Sequence, residues 1–197
     1  MIILGLTGSV GMGKSTTAKL LEEEGIPVYD ADAAVHALYA KGGAAVAPVA
    51  AAFPGTARDG AIDRAALREA AMGDPSKMKK LESIVHPMVR DAQTAFVRKQ
   101  HSAGAPIVVL DIPLLYENGL DRLVDAVMVV TADADVQRAR VLARPGMDEK
   151  MFAQILARQM PDAEKREKAD FLVNTGHGIE DARAQIRAVL EVVREAA

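Results

Sequence analysis

Residues Gly5 to Thr16 read GLTGSVGMGKST and follow directly on the apolar run that begins at Ile2. Four glycines, Gly5, Gly8, Gly11 and Gly13, fall within nine residues, a density that suits neither a helix nor a strand, so the segment reads as a loop. Before it, Ile2–Leu6 reads as a short buried strand. After it, Ser15 to Glu24 reads as a helix. Gly8, Gly13, Lys14 and Ser15 fit GxxxxGK[ST], and strand, loop and helix in that order are the setting this pattern requires.

Bare backbone has a use in such a loop. Glycine reaches positive φ and lets the main chain approach a ligand, so the N–H groups around Gly8, Gly11, Met12 and Gly13 can converge on phosphate oxygens at the positive end of the following helix. Lys14 then supplies a point charge to the β- and γ-phosphates of ATP, the Ser15 hydroxyl is placed to ligate Mg²⁺, and Thr16 adds a contact one residue further on. The plainer alternative is a glycine-rich turn that binds nothing.

Working outward, Ile26–Tyr29, Ile107–Asp111, Ala126–Thr131 and the shorter Phe171–Val173 are further apolar runs with helical patterns between them. Continuously apolar strands alternating with helices predict an α/β fold whose parallel sheet is covered on both faces. About 75 residues separate the second strand from the third, far more than one crossover helix needs, which predicts an inserted helical subdomain. Within it Asp63 precedes an alanine- and leucine-rich run, and Asp74-Pro75 reads as a cap followed by proline at the first helical position. Met78, Leu81, Val85, Met88, Val89, Ala92 and Phe96 then recur at steps of three and four, with Pro87 expected to break or kink the helix near His86.

Composition narrows the class. Half of the 197 residues are apolar and the net charge is −3, ordinary for a globular protein and not that of a nucleic-acid binder. Cysteine is absent, which excludes disulfides, thiolate metal sites and a thiol nucleophile. The apolar start is too short for a signal peptide and no window approaches the roughly 18 apolar residues of a membrane span, so a cytoplasmic protein is expected. His36, His101 and His177 show no metal-ligand spacing.

A phosphate cradle leaves the fate of the nucleotide open. The DxxG and NKxD patterns of a GTPase switch do not occur, whereas a small-molecule kinase needs a carboxylate that can orient an accepting hydroxyl. VYDADAAVH, Val28 to His36, offers Asp30 and Asp32 at the carboxyl end of the second strand, expected beside the loop after the first. Either aspartate could instead cap the helix over Ala33 to Tyr39.

These stretches, with IVHPMV at Ile84–Val89, DIPLLYENG at Asp111–Gly119 and KADFLVNTG at Lys168–Gly176, resemble the dephospho-CoA kinase family in order over nearly the whole chain. That family transfers the γ-phosphate of ATP to the ribose 3′-hydroxyl of dephospho-CoA, the last step of coenzyme A synthesis. The resemblance implies one P-loop kinase domain with five parallel strands: a core of about 1–31, 105–137 and 168–197, a helical substrate-binding insert of about 32–104 and a lid of about 138–167. It makes Asp32 the acceptor-side catalytic carboxylate and implies ATP and Mg²⁺, with no nucleic-acid, membrane or obligate protein partner.

The remaining candidates follow. Asp111 closes its strand as a Mg²⁺-holding aspartate would, or simply as a turn residue. Pro113, Leu114 and Leu115 are expected to wall the acceptor or to pack a loop. His86 is either a satisfied structural group or, as the resemblance implies, part of the substrate domain. The segment 138–168 carries eight Lys/Arg against five Asp/Glu, with Arg140 and Arg144 on one helical face before Pro145-Gly146. It is a solvated basic face, or, as the resemblance implies, a hinged lid whose arginines act on the transferring phosphoryl. Two features depart from the family pattern. Ser9 and Met12 stand where glycine and serine are usual; Met12 is expected to point outward with its N–H toward phosphate. No role is assigned to Asn174-Thr175.

Overall fold

A computed structural model describes residues 1–71 and 73–195. Five strands, β1 (Ile2–Thr7), β2 (Val28–Asp30), β5 (Ile107–Asp111), β6 (Ala126–Thr131) and β7 (Phe171–Asn174), form a parallel sheet in the order β2-β5-β1-β6-β7. The order puts β5, and not β2, next to β1, with Leu4 opposite Val109 on one side and Ala126 on the other. The second strand is also shorter than its apolar run, because Ile26 and Pro27 belong to the approach; Pro27 has no N–H to give a ladder, though its carbonyl accepts from Val109 N–H at 2.9 Å.

The strands are apolar throughout because the sheet is buried on both faces. Leu4, Leu6, Ile107, Val109, Met128 and Val130 pack under Leu20 and Leu21 of α1 (Lys14–Glu23) and Ile186 and Leu190 of α9 (Ile179–Glu195). Val108, Leu110, Val127 and Val129, one residue out of phase, are buried on the other face. Truncating Leu6 or Met128 to alanine would cost about 2–5 kcal/mol. On the outside of this layer Arg183 and Arg187 of α9 pair with Glu24 at 3.1 and 2.9 Å, which holds that carboxyl below its usual range.

By its contacts the chain forms two compact units, residues Met1–Tyr29 with Gln100–Ala197, and Asp30–Lys99. The second contains α2 (Ala31–Tyr39), α3 (Val46–Ala52), a hairpin of β3 (Ala57–Arg58) and β4 (Ala61–Ile62), α4 (Arg64–Ala71) and most of α5 (Pro75–Ser102). Val49, Phe53, Ile62, Leu67, Ala71 and Val85 form its core. Asp63 caps α4 by accepting from Ala65 and Ala66 N–H, and Asp74 caps α5 by accepting from Ser76 and Lys77 N–H.

Two features of this unit differ from the simplest sequence reading. The hairpin was not anticipated, although Asp59-Gly60, with φ of 51° and 80°, is the two-residue turn that favours one. Pro87 does not end α5, which runs unbroken over 28 residues. The carbonyl that proline leaves without an N–H partner belongs to Ser83, and both residues are exposed, so water can take that bond while the apolar stripe stays packed.

The first unit also holds α6 (Ala134–Leu142), α7 (Glu149–Leu156) and α8 (Asp162–Lys168). Among the described residues no helix is long and apolar enough to cross a membrane.

Candidate nucleotide site

The loop between β1 and α1 is built as its glycines require. Gly11 and Gly13 adopt φ of 79° and 94°, and Gly13 is the residue immediately before α1. A Cβ on Gly13 would lie 2.8 Å from the Thr175 hydroxyl oxygen, and one on Gly11 would lie 2.6 Å from Val141. Gly8 is held close to β6, where a Cβ would meet the Val130 carbonyl at 2.7 Å. Ser9 fits without positive φ: it is buried, and its carbonyl accepts from Met12 N–H at 3.1 Å.

Met12 does not point outward. Its side chain is 2% exposed, and the thioether accepts from Ala132 N–H, just beyond β6, at 3.1 Å. An apolar, adaptable side chain thereby fills the space behind the loop and satisfies an amide left over at the strand end.

Lys14 opens α1, and its ammonium lies 2.5 Å from the Asp111 carboxylate at the end of β5. Ser15 and Thr16 are exposed in the first turn. Lys14 and Asp111 therefore meet at the carboxyl edge of neighbouring strands, where ligands of such sheets bind, and Ser15 is the next residue of the same helical turn. In the segment that follows, Pro113 accepts the Thr7 hydroxyl on its carbonyl at 3.1 Å and Leu114 is exposed. Leu115 is fully buried and packs against Gly5, so it belongs to the core and not to an acceptor wall.

One face of α6 is pressed on the loop. Gln137 donates to the Val10 carbonyl at 2.8 Å; Val141 abuts Gly11; Arg140 donates to the Thr175 hydroxyl and carbonyl at 2.8 Å each and, at 3.5 Å, to the Gly11 carbonyl. Arg144 lies just beyond the helix. Arg140 is thus a fixed brace of the loop in this structure, and not a cation on a free basic face. From the other side Val10 N–H donates to Gln159 at 3.0 Å.

Thr175, left without a role in the sequence, is central: its hydroxyl donates to the Met12 carbonyl at 2.8 Å while accepting from Arg140. It directly follows β7, which is parallel to β6, so the carboxyl end of that strand reaches the same edge as the phosphate loop. A cavity of about 340 Å³ opens there, lined among others by Gly13, Thr16, Arg140, Arg144, Thr175 and Ile179. Ile179 is 57% exposed at its margin, an apolar surface for a flat ring.

Behind this site lies a buried ion pair. Lys165 of α8 is fully buried, with its ammonium 2.9 Å from Glu117 Oε1, which also accepts Met160 N–H at 2.8 Å. Burial pushes the Glu117 carboxyl up, but Lys165 and the backbone N–H donors outweigh it and hold the group below its ordinary value of 4.5. Burial, with help from Asp170 and Asp121, pushes the Tyr116 phenol up to about 12, so it stays the donor to the Lys168 carbonyl at 2.9 Å.

In the second unit Asp30 is the cap of α2, accepting from Ala33 N–H at 2.9 Å. That leaves Asp32, exposed in the first turn, without a capping role. His86 is exposed on α5 and is not a buried structural group.

A five-stranded parallel sheet with a glycine loop, a lysine at the head of the next helix and a cavity beside it defines a P-loop nucleotide-binding fold. The family model described as Dephospho-CoA kinase matches residues 2–181. The dephospho-CoA kinase of Rhodopseudomonas palustris strain HaA2 is 56% identical over 191 residues, 97% of this chain and 95% of that one. Among solved structures, the TT1252 protein of Thermus thermophilus superposes with a TM-score of 0.81 at 37% identity, covering 96% of each chain. The dephospho-CoA kinase of Campylobacter jejuni shares the fold with a TM-score of 0.67 at 21% identity, covering 97% of this chain and 96% of that one. The chain belongs to the dephospho-CoA kinase family.

Proposed function

We infer that the protein transfers the γ-phosphoryl group of ATP to the ribose 3′-hydroxyl of dephospho-CoA, giving coenzyme A and ADP, in the cytoplasm and without an obligate protein partner. The acceptor rests on kinship; the phosphate half rests on one observation, the left-handed turns at Gly11 and Gly13 that deliver Lys14 to the head of α1 beside Asp111.

Phosphoryl transfer asks the protein for position and charge, since the transition state is loose and needs little covalent help. Amides of the loop and the positive end of α1 receive the phosphate oxygens. Lys14 exchanges its carboxylate partner for the β- and γ-phosphates, and Asp111 keeps the ammonium on station until then. Arg140 of α6 and Arg144 just beyond it add positive charge, and the cavity beside Thr16 and Ile179 takes the nucleoside. On the acceptor side Asp32 takes a hydrogen bond from the attacking hydroxyl, with Pro113, Leu114 and His86 in the substrate-binding surface. The segments 32–104 and 138–167 serve as acceptor domain and lid.

Magnesium suits the donors present. It takes one or two protein oxygens alongside phosphates and water, and Ser15 Oγ and the Asp111 carboxylate are hard oxygens flanking Lys14. When bound it would neutralise charge between the β- and γ-phosphates.

The test is a coupled ADP-release assay with dephospho-CoA, AMP, CMP and shikimate as acceptors. Turnover is expected with dephospho-CoA and at background with the others; preference for any of the other three would replace the proposed acceptor.

A further inference from the structure

One cation of the second unit rests on an imidazole. Arg64, the exposed first residue of α4, forms no ion pair among the described residues; its guanidinium donates to the ring of His36 on α2. An arginine can only donate, and the ring brings no opposite charge to it. The contact offsets none of the charge on Arg64. It does fix where that charge sits.

The place is informative. His36 follows Asp32 by four residues on α2, and both are exposed, so they lie on one face of the helix one turn apart. Four residues of helix rise about 6 Å, a distance comparable with the span from a ribose 3′-oxygen to the phosphorus on its own 5′-oxygen. A substrate whose 3′-hydroxyl meets Asp32 would carry its 5′-phosphate to the position where Arg64 rests on His36. A guanidinium with several N–H donors in a planar fork, held against the His36 ring and in no ion pair among the described residues, suits that group.

We propose that Arg64, positioned by His36, is the receptor for the 5′-diphosphate of the acceptor and that it makes the enzyme choose nucleotide-like acceptors over bare nucleosides. The inference rests on the reading of Asp32 as the acceptor-side carboxylate. It assigns a different job to a different residue: Asp32 addresses the reacting hydroxyl, and Arg64 addresses the charge at the far side of the same sugar. Loss of Arg64 therefore weakens acceptor binding without touching the ATP site.

Arg64→Gln removes the charge and keeps a donor toward His36; Arg64→Lys keeps the charge and loses the fork. With ATP saturating, KM for dephospho-CoA is measured in each, together with inhibition by AMP and by adenosine, both competing with dephospho-CoA. In the wild type AMP inhibits better than adenosine. In Arg64→Gln, KM for dephospho-CoA rises at least ~10-fold, the scale of one charged hydrogen bond, KM for ATP is unchanged, and AMP loses its advantage over adenosine. Arg64→Lys recovers part of both, and His36→Ala, which frees the arginine without removing it, shows a smaller rise. If Arg64→Gln keeps the wild-type preference for AMP over adenosine, the assignment is wrong. A misfolded Arg64→Gln protein, recognised by a changed KM for ATP, hands the decision to His36→Ala: an unaltered KM for dephospho-CoA there overturns the proposal. A wild type that does not phosphorylate dephospho-CoA would sink the functional reading instead, a result distinct from any of these.

Discussion

Replacing Lys165 with methionine keeps the length and most of the volume of a fully buried side chain but removes its charge. Glu117 then remains with its carboxylate largely buried and only backbone N–H groups to hold it, since its Oε2 already lacks a hydrogen-bond partner. Breaking a buried pair by deleting one member costs about 3–5 kcal/mol, because the survivor stays charged and desolvated. For a chain of this size each kcal/mol is about 2–4 °C, so Tm should fall by about 6–20 °C at neutral pH. The pH dependence gives the sign. In the wild type Glu117 sits below its ordinary value, so its contribution is complete above about pH 4.5 and fades as pH falls through the lower folded value. In Lys165→Met only the backbone N–H groups still oppose burial, so the folded value moves up from that of the wild type. The penalty is then greatest at neutral pH and shrinks as acid protonates the carboxyl. Urea unfolding at pH 7.5 and pH 5.5 measures both, and Lys165→Met/Glu117→Gln should recover most of the loss. A single variant as stable as the wild type at pH 7.5, or a gap that widens in acid, would refute the reasoning.

Asp32→Asn should keep KM for ATP and lose at least ~10²-fold in kcat, the usual scale for a general-base contribution; steady-state kinetics would show this, and near-normal kcat would remove Asp32 from the chemistry. Gly13→Ala forces a side chain into φ of 94° against the Thr175 hydroxyl, a strain of about 1–3 kcal/mol. Its ATP affinity, read by calorimetry, should fall at least ~10-fold. Thr175→Val keeps the volume but deletes the donor to Met12 and one of the acceptors of Arg140. We expect a loss of about 1–2 kcal/mol in stability and a raised KM for ATP, with KM for dephospho-CoA unchanged.

The phosphate loop was legible because its chemistry is local: glycine φ, the head of a helix and a lysine all lie within one short stretch of chain. The strands were legible because burial on both faces makes them apolar without alternation. What escaped notice depends on residues far apart in sequence. Thr175 lies 163 residues from Met12, and Gln159 lies 149 from Val10, and neither threonine nor glutamine at those positions has a pattern of its own. For Leu115 a ligand wall and loop packing both stood open, because a leucine after a strand looks alike whether it turns to solvent or under Gly5. Met12 was misjudged for a related reason, since only the fold brings the orphan amide of Ala132 to its sulfur. For Asp30 and Asp32 spacing allowed two caps, and the backbone of α2 chose Asp30.

The most direct measurement uses ATP labelled at the γ-phosphate and dephospho-CoA as the acceptor, with the product isolated and its phosphate located by ³¹P NMR. The label is expected on the ribose 3′-oxygen of coenzyme A, in amounts equal to the ADP formed. Label recovered only as inorganic phosphate, or on another hydroxyl of the acceptor, would contradict the account.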